Sequence, residues 1–156
     1  MLRISLSLLL MFLSLMSYGE NKDVMHDVIY EGNDMERKIK QSVKLLMNAK
    51  RVESARINDS AEKSKLSCAF VVIKEEKNAV ELFTELFVNS KTNEAKIYGL
   101  LGLFELDKEQ YYFFSKKLKE SDVVLIQEGS LILDYRVSVA LNKIQDGSLL
   151  HNVLYF

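Results

Sequence analysis

Apolar residues recur at steps of three and four along most of the chain, which is the spacing of one face of a helix. A first helix, capped by Asn33 or Asp34, is predicted to run to about Ala49. Its apolar positions are Met35, Ile39, Val43, Leu46 and Met47. Residues 20–33 show no such spacing, and we predict a polar, irregular segment there.

The same spacing predicts four further helices in the middle of the chain. They are expected over Ser60–Lys74, from Asn78 to just before Asn89, over Asn93–Leu106 and over Lys108–Glu120. Between the first and second helices, the polar residues Arg51–Asn58 predict a loop. Asp59 with Glu62 and Asp107 with Gln110 have the spacing of capping pairs at helix starts. The β-branched residues near Phe70–Ile73 leave a buried strand open as an alternative to the end of the second helix.

After Ser121 the spacing shortens. Two short apolar runs, Val123–Ile126 and Leu131–Leu133, flank four turn-forming residues, which predicts a small β-hairpin. A last helix is expected to start at Asp134 and to end at Gly147, because glycine is the favoured residue just after a helix end. The apolar tail Leu149–Phe156 is predicted to dock on the core. The fold class is therefore mainly α, a compact array of helical hairpins with a small β-hairpin near the C-terminus.

The helix Asn93–Leu106 contains two glycines, and each costs about 1 kcal/mol relative to alanine in a helix interior. Ala95, Gly99 and Gly102 are four and three residues apart, so they form one stripe along the helix. A stripe without side-chain bulk lets another backbone approach closely, and we predict that it is a packing surface. A phosphate-binding loop is disfavoured because no strand precedes these glycines.

A helix, a short turn at Asp107, a second helix and then "LKESDVVL" resemble one unit of a HEAT-like helical repeat. The segment "AKIYGLLGLFELD" followed by "KESDVVLIQEG" is also similar to uncharacterised secreted bacterial proteins. The resemblance covers roughly Ser60–Gly147. It implies stacked pairs of helices with an Asp at the turn, and it supplies no catalytic residues. No internal period is evident, so the resemblance does not extend to a long solenoid.

The N-terminus has the layout of a secretory signal peptide. Arg3 gives a positive start, Ile4–Met16 is apolar apart from serines, and small residues precede a cleavage site between Gly19 and Glu20. We therefore predict a signal peptide over 1–19, a single helical domain over 20–156, and a periplasmic or secreted location. This segment of 13 residues is shorter than the ~20 that span a bilayer. A buried N-terminal helix and an uncleaved anchor are the alternatives, and no integral span is expected in the mature chain.

Composition narrows the function classes. The net charge of −1 gives no basic field for nucleic acid. The chain has one cysteine, Cys68, so no internal disulfide forms. Its apolar neighbours predict a buried, inert thiol.

Candidate chemistry is sparse. His26 and His151 lie outside any recognisable nucleophile motif, and no cofactor motif is present. We predict a non-enzymatic domain that binds an unknown protein partner in the cell envelope or outside the cell. The alternative is a small metal-dependent protein or enzyme that uses His26 with Asp23, Asp27 or Glu31. The aromatic run Tyr111–Phe114 is predicted to pack mainly in the core, with at least one ring facing a neighbouring element, solvent or a partner.

Overall fold

The computed structural model describes residues 20–57 and 62–155, with side chains at 34–57 and 63–155. The helices in this part of the chain are α1 (Glu20–Met47), α2 (Lys65–Lys74), α3 (Ala79–Asn89), α4 (Asn93–Leu106), α5 (Lys108–Ser115), α6 (Val137–Gln145) and α7 (Ser148–Tyr155). The strands are β1 (Val52–Ile57), β2 (Glu62–Lys63), β3 (Val123–Gly129) and β4 (Leu131–Arg136). The mainly helical prediction and the C-terminal hairpin are confirmed.

Contacts divide the chain into two units, residues 1–38 and 39–156. In the first unit, α1 begins at Glu20, so the prediction of an irregular segment over 20–33 is wrong. A helix can form without a periodic apolar face when its residues have adequate helix propensity. The segment also contains no proline, which would interrupt a helix. Near the end of this unit Arg37 contacts Asp34 one turn earlier at 2.9 Å, with both side chains well exposed.

The second unit contains a four-stranded sheet in the order β2-β1-β3-β4. β1 and β3 are parallel, while β1 pairs with β2 and β3 pairs with β4 in antiparallel fashion. The hairpin of β3 and β4 has a two-residue loop, Gly129–Ser130, in which Gly129 has a φ of 62°. Glycine suits this first loop position because residues with a side chain disfavour a positive φ.

α4 is the central helix of this unit and contacts α2, α3, α5, α6, β1 and β3. Every residue from Ile97 to Leu103 is buried. The side chain of Thr92 accepts a hydrogen bond from the N–H of Ala95 at the helix start, and Asp107 caps the helix that follows. The bounds of α4 are those that the sequence predicts, since caps and periodicity are both local signals.

The strand β1 replaces the loop predicted over Arg51–Asn58. Val52, Glu53 and Ser54 are all buried, and two of these three residues are polar. Hydrogen bonds to the polar groups of Glu53 and Ser54 make their burial possible. A half-buried strand is recognised in sequence by alternating apolar and polar residues, and this buried run does not alternate. Because β1 pairs with both β2 and β3, the unit is α/β and not an array of helical hairpins alone.

The structure also differs from the prediction at the start of α2, the end of α5 and the start of α6. α2 begins at Lys65, because the hydroxyl of Ser64 accepts a hydrogen bond from the Ser67 N–H and forms the cap. The predicted Asp59 cap lies outside the described residues. α5 ends at Ser115, well before Glu120.

Asp134 belongs to β4, and α6 starts after Arg136 because the hairpin is longer than its apolar runs. α2 remains a helix over Phe70–Ile73, so the strand alternative is wrong. The apolar tail forms α7, whose Leu149 and Val153 are buried as predicted. No helix in the described part of the chain is long and apolar enough to cross a membrane.

Candidate functional site

A buried carboxylate connects three elements of the second unit. Glu53 on β1 accepts a 2.7 Å hydrogen bond from Arg51 Nε and a 2.6 Å bond from the hydroxyl of Ser64. The backbone N–H of Glu53 donates to the hydroxyl of Tyr98 on α4 at 2.8 Å, and its carbonyl accepts from Ser67. This cluster therefore ties β1 to the start of α2 and to the central helix.

Tyr98 is fully buried in this cluster, and desolvation raises the pKa of its hydroxyl far above the ordinary value. A phenol that stays protonated at all ordinary pH values does not serve as a base at neutral pH. Among the described side chains, the carboxylate of Glu53 is hydrogen-bonded to Arg51 and Ser64, and neither is a histidine or an acid. We interpret the cluster as a structural support for the surface beside it.

A cavity of about 450 Å³ opens beside this cluster, between the β1–β2 pair, α2 and α7. Its lining consists of Ala55, Arg56, Lys63, Ser67, Cys68, Val71, Val153, Leu154 and Tyr155. The wall is apolar along α2 and α7, and two cationic side chains lie on the strands. Ser67 belongs to both features, because its hydroxyl bonds to the Glu53 carbonyl while the residue lines the cavity.

Cys68 is exposed and lines this cavity, so the prediction of a buried, inert thiol is wrong. Leu66, Ala69, Phe70 and Ile73 form the buried face of α2, and Cys68 lies on the face opposite them. The prediction relied on the apolar residues next to Cys68 in sequence. Neighbours in sequence point to different faces of a helix, so they do not show whether Cys68 is buried.

We expect a neutral thiol reagent such as N-ethylmaleimide to modify the folded protein at Cys68 with one equivalent and at a rate near that of a free thiol. The reason is that the residue is exposed and is the single cysteine of the chain. Mass spectrometry after timed labelling, with and without denaturant, measures this. A thiol that labels only in denaturant would contradict the exposed position.

A second surface lies at the opposite edge of the sheet from β2. β4 pairs with β3 on one side, and no described strand pairs with its other side. Three successive apolar side chains of β4 are exposed, with Leu131 at 61%, Ile132 at 50% and Leu133 at 39%. Exposed edge strands are usually protected by lysine, proline or a covering element, and an apolar one is a ready template for another strand.

The aromatic run on α5 divides into two parts. Tyr111 and Phe114 are buried, while Tyr112 and Phe113 are exposed. Lys117 lies over the Phe113 ring with its Nζ 4.2 Å from the centroid. Two of the four rings therefore pack in the core, and two face solvent.

Two of the stripe residues, Gly99 and Gly102, lie against α3. A Cβ at Gly99 would lie 3.0 Å from the Phe83 carbonyl oxygen and 3.0 Å from the Phe87 Cβ, and one at Gly102 would overlap the Phe83 ring. Ala95 is fully buried on the same helix. These positions form no ligand site; they allow α3 and α4 to pack closely.

The remaining predicted sites cannot be located on this structure. The predicted signal peptide 1–19, with its cleavage between Gly19 and Glu20, precedes the described part of the chain. The side chains of Asp23, His26, Asp27 and Glu31 are also outside the described set. Within the described set, no group of three His, Cys, Asp or Glu side chains is placed to hold a metal ion.

No protein-family model, curated protein or solved structure matches this chain. The features of the second unit that bear on function are the cavity and the β4 edge. Sequence reasoning found neither, because both depend on β1. The sequence showed no sign that β1 is a strand. β1 forms one wall of the cavity and pairs in parallel with β3.

Proposed function

We propose that this chain is an exported, non-enzymatic domain that binds another protein, and that β4 is the binding surface. The observation that carries the proposal is the exposed apolar edge of β4. The helical-repeat resemblance of α4 and α5 and the lack of a recognisable catalytic motif motivate a protein-binding domain, and neither selects β4. The predicted signal peptide supports an encounter in the cell envelope or outside the cell.

The hairpin that carries β4 is held firmly to the body of the second unit. Val124 and Ile126 of β3 are buried, and Lys143 of α6 contacts Glu128 at 3.0 Å. The same Lys143 Nζ lies 5.1 Å from the centroid of the Tyr135 ring on β4. The hydrogen bond that Lys143 donates to Glu128 raises the pKa of Lys143, so its ammonium group remains charged at neutral pH. A rigid edge binds with a smaller entropic cost than a mobile one.

The partner expected from this geometry is a protein segment in extended conformation. An added strand would satisfy the outward N–H and C=O groups of β4 through main-chain hydrogen bonds. Leu131 and Leu133 lie on one face of β4 and Ile132 lies on the other, because side chains alternate along a strand. We expect the partner segment to carry apolar residues at alternating positions, which would cover both faces of the edge.

The test places a photo-crosslinking amino acid at Ile132 and applies the purified protein to envelope and secreted fractions of the source cells. We expect one dominant crosslinked protein, identified by mass spectrometry. The crosslink should decrease at least about fivefold when Leu131→Glu and Leu133→Glu are introduced, because charges on an edge strand oppose strand addition.

The matched control carries the crosslinker at Val88 of α3, which is 60% exposed and apolar but lies on a helix. A second control places it at Phe113, the exposed aromatic of α5. Equal capture from Val88 would show a nonspecific apolar contact. Capture from Phe113 alone would move the binding surface to α5 and contradict the proposal for β4.

A further inference from the structure

The cavity beside Glu53 has a polarised lining. Val71 on α2, together with Val153 and Leu154 on α7, forms its apolar part. Arg56 on β1 and Lys63 on β2 are the charged residues of the lining, and both are exposed. None of the described residues that line the cavity is acidic.

The two cations are direct neighbours across the strands. Arg56 is the register partner of Lys63 in the antiparallel pairing of β1 with β2. The Cβ atoms of directly opposite residues lie about 5 Å apart, and like charges at such positions are destabilising. Neither cation forms an ion pair with a described carboxylate. An anion between them would convert this repulsion into two attractive contacts.

We propose that this cavity binds a single-chain carboxylate, with the head group between Arg56 and Lys63 and the alkyl chain along Val71, Val153 and Leu154. The two cations supply charge complementarity for one anionic group. The apolar wall supplies a surface on which an alkyl chain is removed from water. The volume of about 450 Å³ falls in the lower half of the ~300–1,000 Å³ range of small-molecule pockets, which suits one chain.

This proposal is independent of the one for β4. The sheet order places β2 at one edge and β4 at the other, so the two surfaces do not share a strand. A variant with Leu131→Glu should therefore bind the carboxylate as the unmodified protein does. Each proposal is tested with its own variants, so a negative result for one surface does not contradict the proposal for the other.

Cys68 provides a direct test because it lines the cavity and is the chain's single cysteine. The purified full chain is labelled with N-ethylmaleimide in the presence of dodecanoate or dodecyltrimethylammonium below its micellar concentration, or of dodecanol below its solubility limit. We expect dodecanoate to slow labelling at least about fivefold and calorimetry to give one site per chain. Dodecanol and the cationic surfactant should protect much less, because they lack the anionic head.

The variant Arg56→Gln/Lys63→Gln removes both charges at exposed positions. We expect its dissociation constant for dodecanoate to rise about tenfold or more, which is the scale of losing a charged hydrogen bond. The matched control is Lys116→Gln/Lys119→Gln, two exposed lysines outside the cavity, which should leave the constant unchanged. Val71→Trp should fill the apolar part and abolish protection, with thermal unfolding recorded for every variant.

Three results would overturn the proposal. The first is equal protection by dodecanoate and dodecanol, which would show adsorption to apolar surface without recognition of the head. The second is an unchanged dissociation constant in Arg56→Gln/Lys63→Gln. Protection by a short peptide with a free C-terminal carboxylate, without protection by dodecanoate, would also overturn it and would assign the cavity to a chain terminus.

Discussion

Gly102→Ala is expected to lower the free energy of unfolding by about 2 kcal/mol. The new Cβ would overlap the ring of Phe83, which is fully buried, so the ring or one of the two helices must shift. Overpacking of a core typically costs ~1–3 kcal/mol. The higher helix propensity of alanine offsets about 1 kcal/mol of that cost, so we place the overlap at the upper end of the range. Urea denaturation followed by circular dichroism measures the change.

A second substitution separates the overlap from other effects. Phe83→Ala removes the ring atoms Cγ, Cδ2 and Cε2 that the alanine methyl meets. The double variant should therefore be more stable than the sum of the two single losses predicts. Coupling energies between contacting residues are typically ~0.5–3 kcal/mol. Gly99→Ala should cost less than Gly102→Ala, since its Cβ would meet its neighbours at 3.0 Å and not overlap a ring. A gain in stability from Gly102→Ala would contradict close packing of α3 on α4.

Tyr98→Phe is expected to cost ~1–3 kcal/mol at pH 8, which is the range for leaving a buried donor without a partner. The hydroxyl of Tyr98 accepts the hydrogen bond of the Glu53 N–H at 2.8 Å, and both residues are buried. Phenylalanine keeps the ring and its packing against Phe70, so the loss reports the hydrogen bond. Urea denaturation of both proteins at pH 8 gives the difference.

The same pair of proteins should behave differently at alkaline pH. Burial raises the pKa of Tyr98 in the folded state above the value of 10.0 that applies when it is exposed. Its contribution is therefore complete below pH 10 and decreases as the pH rises toward the folded-state pKa, by about 1.4 kcal/mol per pH unit. The advantage of the unmodified protein over Tyr98→Phe should decrease by roughly 1.4 kcal/mol between pH 8 and pH 11.

Tyr112→Phe is the matched control, since Tyr112 is 49% exposed. Its stability should stay within about 0.5 kcal/mol of the unmodified protein at pH 8, as is usual for surface positions. Tyr111 and Lys143 also have raised pKa values, so the unmodified protein loses stability at high pH through them as well. Only the difference between paired variants isolates Tyr98. A constant difference between pH 8 and pH 11 would contradict its burial.

The sequence and the structure agree where the determining interactions are local. α4 has the predicted bounds because Thr92 and Asp107 are hydrogen-bonded at helix starts within three residues of their partners. The hairpin of β3 and β4 was predicted for the same reason, since its two strands are joined by two residues. Such signals depend on spacing along the chain, which a sequence shows directly.

Long-range pairing decided the rest. β1 is a strand because it lies beside β3, about seventy residues later, and because Tyr98, Ser64 and Ser67 satisfy the polar groups of Glu53. Burial of a glutamate and a serine requires those partners to be in place, and no spacing within β1 reveals them. The exposed edge of β4 was not predicted either. β4 lies at the edge of the sheet because β1 pairs with the other side of β3, and the strand β1 was itself not predicted.

The sequence by itself therefore determined the mainly helical class, the central helix with its glycines, the C-terminal hairpin and the apolar tail that docks. Only the tertiary structure decided that Cys68 is exposed, that Arg56 and Lys63 face one cavity, and that three apolar residues of β4 lie at an open edge. The physical reason is that helix periods and caps are set by neighbours in sequence. The open surfaces are those left uncovered after all elements have packed.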